Sequence, residues 1–323
     1  MAPTQSGASP IQENEARAAF VELAALVEIK APRRRMAERI DAHHHLWRYS
    51  PTEYAWIGEN MPQLRRDFLV EDLEGELSAA GFAGAVAVQA RQSREETDWL
   101  LGLAAGSQAI LGVVGWAPIA GRQFPVELER LRGESKLKGL RHIIQDEPDE
   151  NFILGSDFNQ GIRAMKGSDL VYDILIFERH LPAAIQFVDR HPEQLFVLDH
   201  VAKPRIRDRI RDPWQHNICE LARRGNVYCK ISGMVTEADW STWTGQDLRP
   251  YVDVALQAFG PSRLMAGSDW PVCLLASTYR KWVDTLQSLV GGLSATEQDR
   301  ILGGTATEVY RLRPNARTRS AGE

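Results

Sequence analysis

Residues 39–45 read RIDAHHH, a short apolar run that ends in three imidazoles. Seven further runs of this kind follow: GAVAVQA from Gly84, ILGVVGW from Ile110, GLRHII from Gly139, LVYDILI from Leu170, LFVLDH from Leu195, NVYCKIS from Asn226 and RLMAGSD from Arg263. Each is rich in β-branched or bulky apolar residues, as a buried strand requires. Between and after them, segments of helical pattern are predicted at 70–80, 93–107, 125–133, 157–167, 181–191, 213–224, 247–259 and 277–289. Strands alternating with helices are the mark of parallel βα units, and eight of each are the inventory of a closed (β/α)8 TIM-type barrel.

A doubly wound open sheet uses the same alternation, so the count alone does not decide. The polar residues do. His43, His45, Gln89, Arg141, His142, His200, Ser232 and Asp269 all fall at or just past the carboxyl ends of different runs. A barrel builds one site from many strand ends, whereas an open sheet gathers its site at one switch point.

The barrel is predicted over 39–312. Residues 1–38 are an N-terminal helical extension: Met1 to Pro10 have the composition of disorder, and Glu13 to Ile29 pattern as a helix around Phe20, Leu23, Leu26 and Val27. That helix would pack on the barrel, cover an oligomer surface or be an arm peculiar to this protein, which leaves homo-oligomer formation open. Residues 313–323 are basic and polar and read as a mobile tail.

The chain has 323 residues, 44% hydrophobic and 25% charged, enough for a large core in a globular protein. A formal net charge of -5 supplies no basic excess for a phosphate backbone, so no nucleic-acid partner is expected. No apolar run approaches the roughly 20 residues that span a bilayer, and no export signal opens the chain. Cys219, Cys229 and Cys273 form no CxxC pair, which suits a reducing cytoplasm and implies neither a disulfide framework nor a thiolate zinc site.

In Asp41-Ala42-His43-His44-His45 the two-residue period of a strand sets His43 and His45 on one face, with Asp41 beside them and His44 opposite, structural or solvent-facing. Neutral imidazole ligates zinc and similar divalent ions, and a third nitrogen with a carboxylate would leave a position open for water. His200, ending the sixth run, and Asp269, ending the eighth, are the expected donors. The cofactor expectation is therefore one divalent ion held by His43, His45, His200 and Asp269, zinc by preference, with metal-free orientation of water as the alternative. His180, His191 and His216 fall in helices or loops and are read as structural.

These motifs resemble the amidohydrolase superfamily, and more narrowly its lactonase branch, which contains L-fuconolactonase, L-rhamnonolactonase, sulfomuconolactone hydrolase and 2-pyrone-4,6-dicarboxylate lactonase. The resemblance runs from about Arg39 to Leu312. It is carried by DAHHHLWRY (41–49), LRRDF (64–68), AVQARQS (87–93), GLRHIIQDEPDENF (139–152), LDHVAKP (198–204), KISGM (230–234) and GSDWPVC (267–273). Lys138 precedes its strand rather than ending it, and the fifth run offers no histidine. Both departures from the wider superfamily match the lactonase branch.

What the resemblance implies is hydrolysis of a small lactone, with a sugar aldonolactone favoured by AVQARQS and RHIIQDEP. Asp269 is the expected general base and then acid. His200 and Arg141 complete the catalytic group, Arg141 on substrate oxygens unless it pairs with Asp146 or Glu147. Gln89, Trp116, His142, Trp270 and Trp47 are the expected substrate contacts, aromatic walls suiting the apolar face of a sugar ring. Tyr54 and Trp56 share the long first loop as a rim, Lys203 and Lys230 are weaker candidates, and Asp173 suits the barrel floor. The competing readings are an anionic lactone clamped by Arg141, Lys203 and Lys230, a decarboxylase with a similar ligand set, and a non-catalytic binding barrel.

Overall fold

The computed structural model describes residues 37–313. The helix expected over 13–29 and the tail beyond 313 lie outside the described residues. Eight strands, β1 (Ile40–His44), β2 (Gly84–Val88), β3 (Ile110–Gly115), β4 (Leu137–Ile143), β5 (Val171–Leu175), β6 (Phe196–Leu198), β7 (Val227–Ile231) and β8 (Leu264–Ala266), pair in parallel in their sequence order. Beyond β8 the chain returns to β1: Asp269 N donates to His43 O at 2.8 Å and His45 N to Trp270 O at 2.7 Å. This closure makes a (β/α)8 barrel and sets Asp269 beside the histidine cluster.

The helices follow the strands as the sequence pattern predicts. They are α1 (Val70–Ala80), α2 (Arg94–Gly106), α3 (Phe124–Leu131), α4 (Ser156–Ala164), α5 (Leu181–Asp189), α6 (Trp214–Leu221), α7 (Gly245–Phe259) and α8 (Tyr279–Val290). Their ends are set locally. Ser93 Oγ accepts Glu96 N at 3.2 Å ahead of α2, and Gly81 closes α1 at φ 76, a left-handed turn that favours glycine.

GAVAV shows how the strands divide their side chains. Val86 and Val88 join Ile40, Val114, Val171, Val197 and Met265 inside the barrel, while the small Ala85 and Ala87 let the outer helices approach. After α8 come α9 (Ala295–Asp299), a π-type turn (Arg300–Gly304) and α10 (Thr305–Val309), which bring Tyr310 and Leu312 against the barrel floor. Gly303 makes that seat possible, because a Cβ there would come within 2.0 Å of Glu38 O.

Strict alternation fails in β1. The register against β2 slips between Asp41 and His44, so one extra residue sits in β1 as a bulge. Asp41 therefore does not share the face of His43 and His45. Its Oδ1 accepts Ser268 N at 2.8 Å and His43 N at 3.1 Å, and its Oδ2 accepts the Tyr279 hydroxyl of α8 at 3.1 Å. His44 is buried, which removes the solvent-facing alternative for it.

Candidate active site

His43 and His45 project from the end of β1 into the barrel mouth. His200 and Asp269 reach the same point through unusual backbone. His200 to Lys203 all take positive φ (52, 50, 59 and 49), and Asp269 has φ 58. Left-handed conformations cost non-glycine residues roughly 1–2 kcal/mol each, so this geometry persists because surrounding contacts impose it. Gly233 (φ 61) is one such contact. A Cβ there would meet His200 Nδ1 at 2.5 Å and Asp269 Oδ2 at 3.2 Å, so only glycine leaves room for the imidazole.

The four side chains converge. His43 Nε2 lies 3.2 Å from His45 Nε2 and 3.8 Å from Asp269 Oδ1, which is 3.3 Å from His45 Nε2 and 4.0 Å from His200 Nε2. Ligands about 2.0–2.2 Å from a tetrahedral ion stand roughly 3.3–3.6 Å apart, so His43, His45 and Asp269 are close to the spacing of a divalent-ion site, with His200 one step further out. The donor chemistry agrees. His45 Nδ1 is 2.8 Å from Val88 O, which can only accept, so Nδ1 carries a proton and Nε2 is the nitrogen turned toward the carboxylate and available to ligate an ion in the neutral ring.

Burial sets the electrostatics. It pushes His43 well below the ordinary histidine value and His200 down to about 4, so both are neutral at pH 7. Burial also pushes Asp269 upward, but His200, His45 and Lys203 outweigh it and hold the carboxyl below its usual range.

Beneath His43 lies a group of four buried charges. Arg141 Nη1 is 2.8 Å from Asp199 Oδ2; Lys230 Nζ is 3.0 Å from Asp199 Oδ1 and 2.6 Å from Asp173 Oδ2; the Tyr310 hydroxyl caps Asp173 at 2.8 Å. Two cations face two carboxylates. Arg141 thus pairs with Asp199 and not with Asp146 or Glu147, and it also donates Nη2 to Gln89 O.

The cavity above the cluster measures about 220 Å3. His45, Arg141, His200 and Asp269 form its floor; Trp56, Ala90, Ile143, Leu175 and Val272 form an apolar wall; Gln145, Asp146, Lys203 and Thr236 complete it. It is smaller than the roughly 300–1,000 Å3 of sites for drug-sized ligands and suits a single ring. A larger groove of about 590 Å3 between α7 and α8 carries no such chemistry, since its Arg249 binds Leu289 O and its Arg280 pairs with Asp284.

Five expected substrate contacts stand away from this cavity. Gln89 is buried behind Arg141, its Nε2 3.4 Å from Arg141 O. His142 follows strand parity to the outer face, where it stacks on Phe152 at 5.0 Å, approaches Glu147 Oε1 at 2.6 Å, and receives Trp116 Nε1 at 3.3 Å. Trp47 and Trp270 are fully buried, joined edge to face through Phe68 at 5.4 and 5.2 Å. The first loop folds inward on these rings, and Trp56, 38% exposed and 5.7 Å from Trp47, takes the place at the cavity wall. Asp199 was not anticipated, although strand parity in FVLDH points it inward. Parity also sends His200 outward, and only the left-handed turn after Asp199 brings both to the site.

The family model described as Amidohydrolase matches residues 40–312. L-fucono-1,5-lactonase of Burkholderia multivorans is 44% identical over 291 residues, covering 85% of this chain and 97% of that protein. L-fucono-1,5-lactonase of Burkholderia ambifaria is 35% identical, covering 86% of this chain and 97% of that protein. The crystal structure of an amidohydrolase from Burkholderia multivorans with bound zinc superposes with a TM-score of 0.83 at 42% identity, covering 86% of this chain and all of that one.

Proposed function

Since the chain belongs to the amidohydrolase family, we propose that it is a lactone hydrolase that opens a neutral sugar lactone of the L-fucono-1,5-lactone type. The observation that carries this reading is the convergence of His43 Nε2, His45 Nε2 and Asp269 Oδ1 at the floor of a ring-sized cavity. The two relatives named L-fucono-1,5-lactonase support the substrate.

The donor set fits one divalent ion, which His43, His45 and Asp269 would hold with His200 as a further donor, and the zinc-bound relative supports zinc. When bound, such an ion supplies Lewis acidity that polarises the ester carbonyl and acidifies water. The chain's own residues do the rest. Asp269, a carboxylate at neutral pH, takes the proton of the attacking water and returns it to the ring oxygen as that bond breaks. Arg141, a buried cation on the cavity floor, offers hydrogen bonds to the carbonyl oxygen as charge develops there. Trp56 covers the apolar face of the ring.

Charge separates neutral from anionic lactones. An anion clamp needs Arg141, Lys203 and Lys230 free together, but Lys230 lies buried on Asp173 and Asp199, and Arg141 is paired with Asp199. Lys203 shares the cavity with Asp146 and Asp269, so the lining side chains by themselves present no cationic excess to a substrate carboxylate or sulfonate. A pH-indicator assay comparing kcat/KM for L-fucono-1,5-lactone with muconolactones, with zinc measured in the same preparation, tests the reading. Preference for the neutral lactone is expected; a ten-fold preference for the anionic set overturns the substrate, and no turnover of any lactone overturns the activity.

A further inference from the structure

Among the buried charges beneath His43 one acceptor, Asp199 Oδ1, and one donor, Arg141 Nε, make no hydrogen bond within the described residues, and the acceptor faces His43. Asp199 Oδ1 is fully buried, and among the described residues no donor meets it in good hydrogen-bond geometry: Lys230 Nζ lies 3.0 Å away and His43 Nδ1 3.4 Å away, the latter at the edge of hydrogen-bond range. A buried acceptor without a donor is costly, and more so when it carries charge. Its partner oxygen Oδ2 is satisfied by Arg141 Nη1 at 2.8 Å, and Lys230 directs its shortest contact, 2.6 Å, at Asp173 Oδ2. A proton on His43 Nδ1 is the donor that relieves Asp199 Oδ1.

The other two imidazoles show the same arrangement. His45 Nδ1 is engaged by Val88 O at 2.8 Å and His200 Nδ1 by Ser232 Oγ at 2.9 Å, so each presents Nε2 to Asp269. His43 alone has a competing arrangement. With its proton on Nε2, Nδ1 would accept from Lys230 Nζ at 3.2 Å, and the Nε2 proton would point at His45 Nε2, 3.2 Å away, in the space an ion needs.

We infer that Asp199 is the positioning residue that fixes the tautomer of His43, accepting the Nδ1 proton so that Nε2 remains a bare lone pair toward His45 and Asp269. Asp199 does this as a carboxylate held in place by Arg141 and Lys230, which explains why a lysine and an arginine are buried on its two oxygens. Lys230 is the counter-cation of the pair and not a donor to His43. The inference rests on the divalent-ion reading of the site, and Asp199 and Lys230 themselves do not line the cavity.

Two measurements on the full chain test it. Zinc affinity is read by competition with a chromophoric chelator for the wild type and for Asp199→Asn, which keeps the shape and removes the charge. The variant should bind zinc about 10–100-fold more weakly, as loss of a carboxylate behind a ligating histidine does elsewhere. Nitrogen-15 NMR of histidine-labelled wild type, zinc-free, should show His43 protonated on Nδ1, assigned by loss of its signal in His43→Gln. A His43 protonated on Nε2, or a zinc affinity of Asp199→Asn within two-fold of wild type, overturns the inference. If Asp199→Asn does not fold, the spectrum decides. If the wild type binds no zinc, the divalent-ion reading fails by itself, and the tautomer still decides the role of Asp199.

Discussion

Replacing Lys230 by methionine keeps most of the side-chain volume and removes a cation that stands 2.6 Å from Asp173 and 3.0 Å from Asp199. The buried group then holds two carboxylates against Arg141 alone, one negative charge in excess. Removing one partner of a buried ion pair costs about 3–5 kcal/mol, because the other charge is left unpaired out of water. For a domain of this size roughly 4 kcal/mol corresponds to a fall in Tm of about 8–16 °C. The loss also has a pH signature. Burial raises the Asp173 carboxyl from 3.8 to about 6 even with Lys230 beside it, and without that cation it rises further. A carboxyl raised in the folded state contributes stability below its unfolded value of 3.8 and loses it as pH climbs through the folded value. The Tm gap between wild type and Lys230→Met should therefore be small at pH 5 and widen toward pH 8. Adding Asp173→Asn restores the charge balance and should recover at least about half the loss, a coupling that a double-mutant cycle isolates. Thermal melts followed by circular dichroism at both pH values are the assay. A gap that stays constant with pH, or a double variant no more stable than the single, would refute the charge-balance account.

Asp269→Asn should fold normally and lose at least ~100-fold in kcat, since it keeps the shape and removes the proton carrier; near-normal turnover of a correctly folded sample rules the role out. Gly233→Ala places a Cβ 2.5 Å from His200 Nδ1 at a left-handed position, so steady-state rates should fall about 100-fold as the imidazole is displaced, and an unchanged rate removes His200 from the machinery. Trp56→Ala should leave Tm within about 2 °C while raising KM about 5–10-fold, the worth of one stacked ring, and an unchanged KM shows that the wall does not touch substrate. Because burial pushes His200 down to about 4, its nitrogen-15 shifts in the zinc-free protein should stay level from pH 8 to pH 6 and move only as pH nears 4–5; a titration centred at 6.5 or above contradicts the burial of this group.

Strand order and helix order were legible in the sequence because both rest on local periodicity. GAVAV alternates small residues under the helices with valines inside the barrel, and each strand–helix unit must bury its apolar face on the next. The histidine pair was legible for the same reason, two residues apart at a strand end. Three features were decided only by tertiary structure. The bulge in β1 turns Asp41 toward Tyr279, because register against β2 is a property of two strands together. The first loop buries Trp47 on Phe68 and leaves Trp56 at the cavity, a choice between identical side chains that only the folded loop makes. Arg141 and Lys230 looked like cations available to a substrate, yet their charges are neutralised across the barrel by Asp199 after β6 and Asp173 in β5. The sequence by itself determined which residues stand at strand ends; how far each charge is compensated depends on distances between strands remote in the chain, because Coulomb energy and desolvation follow separation in space.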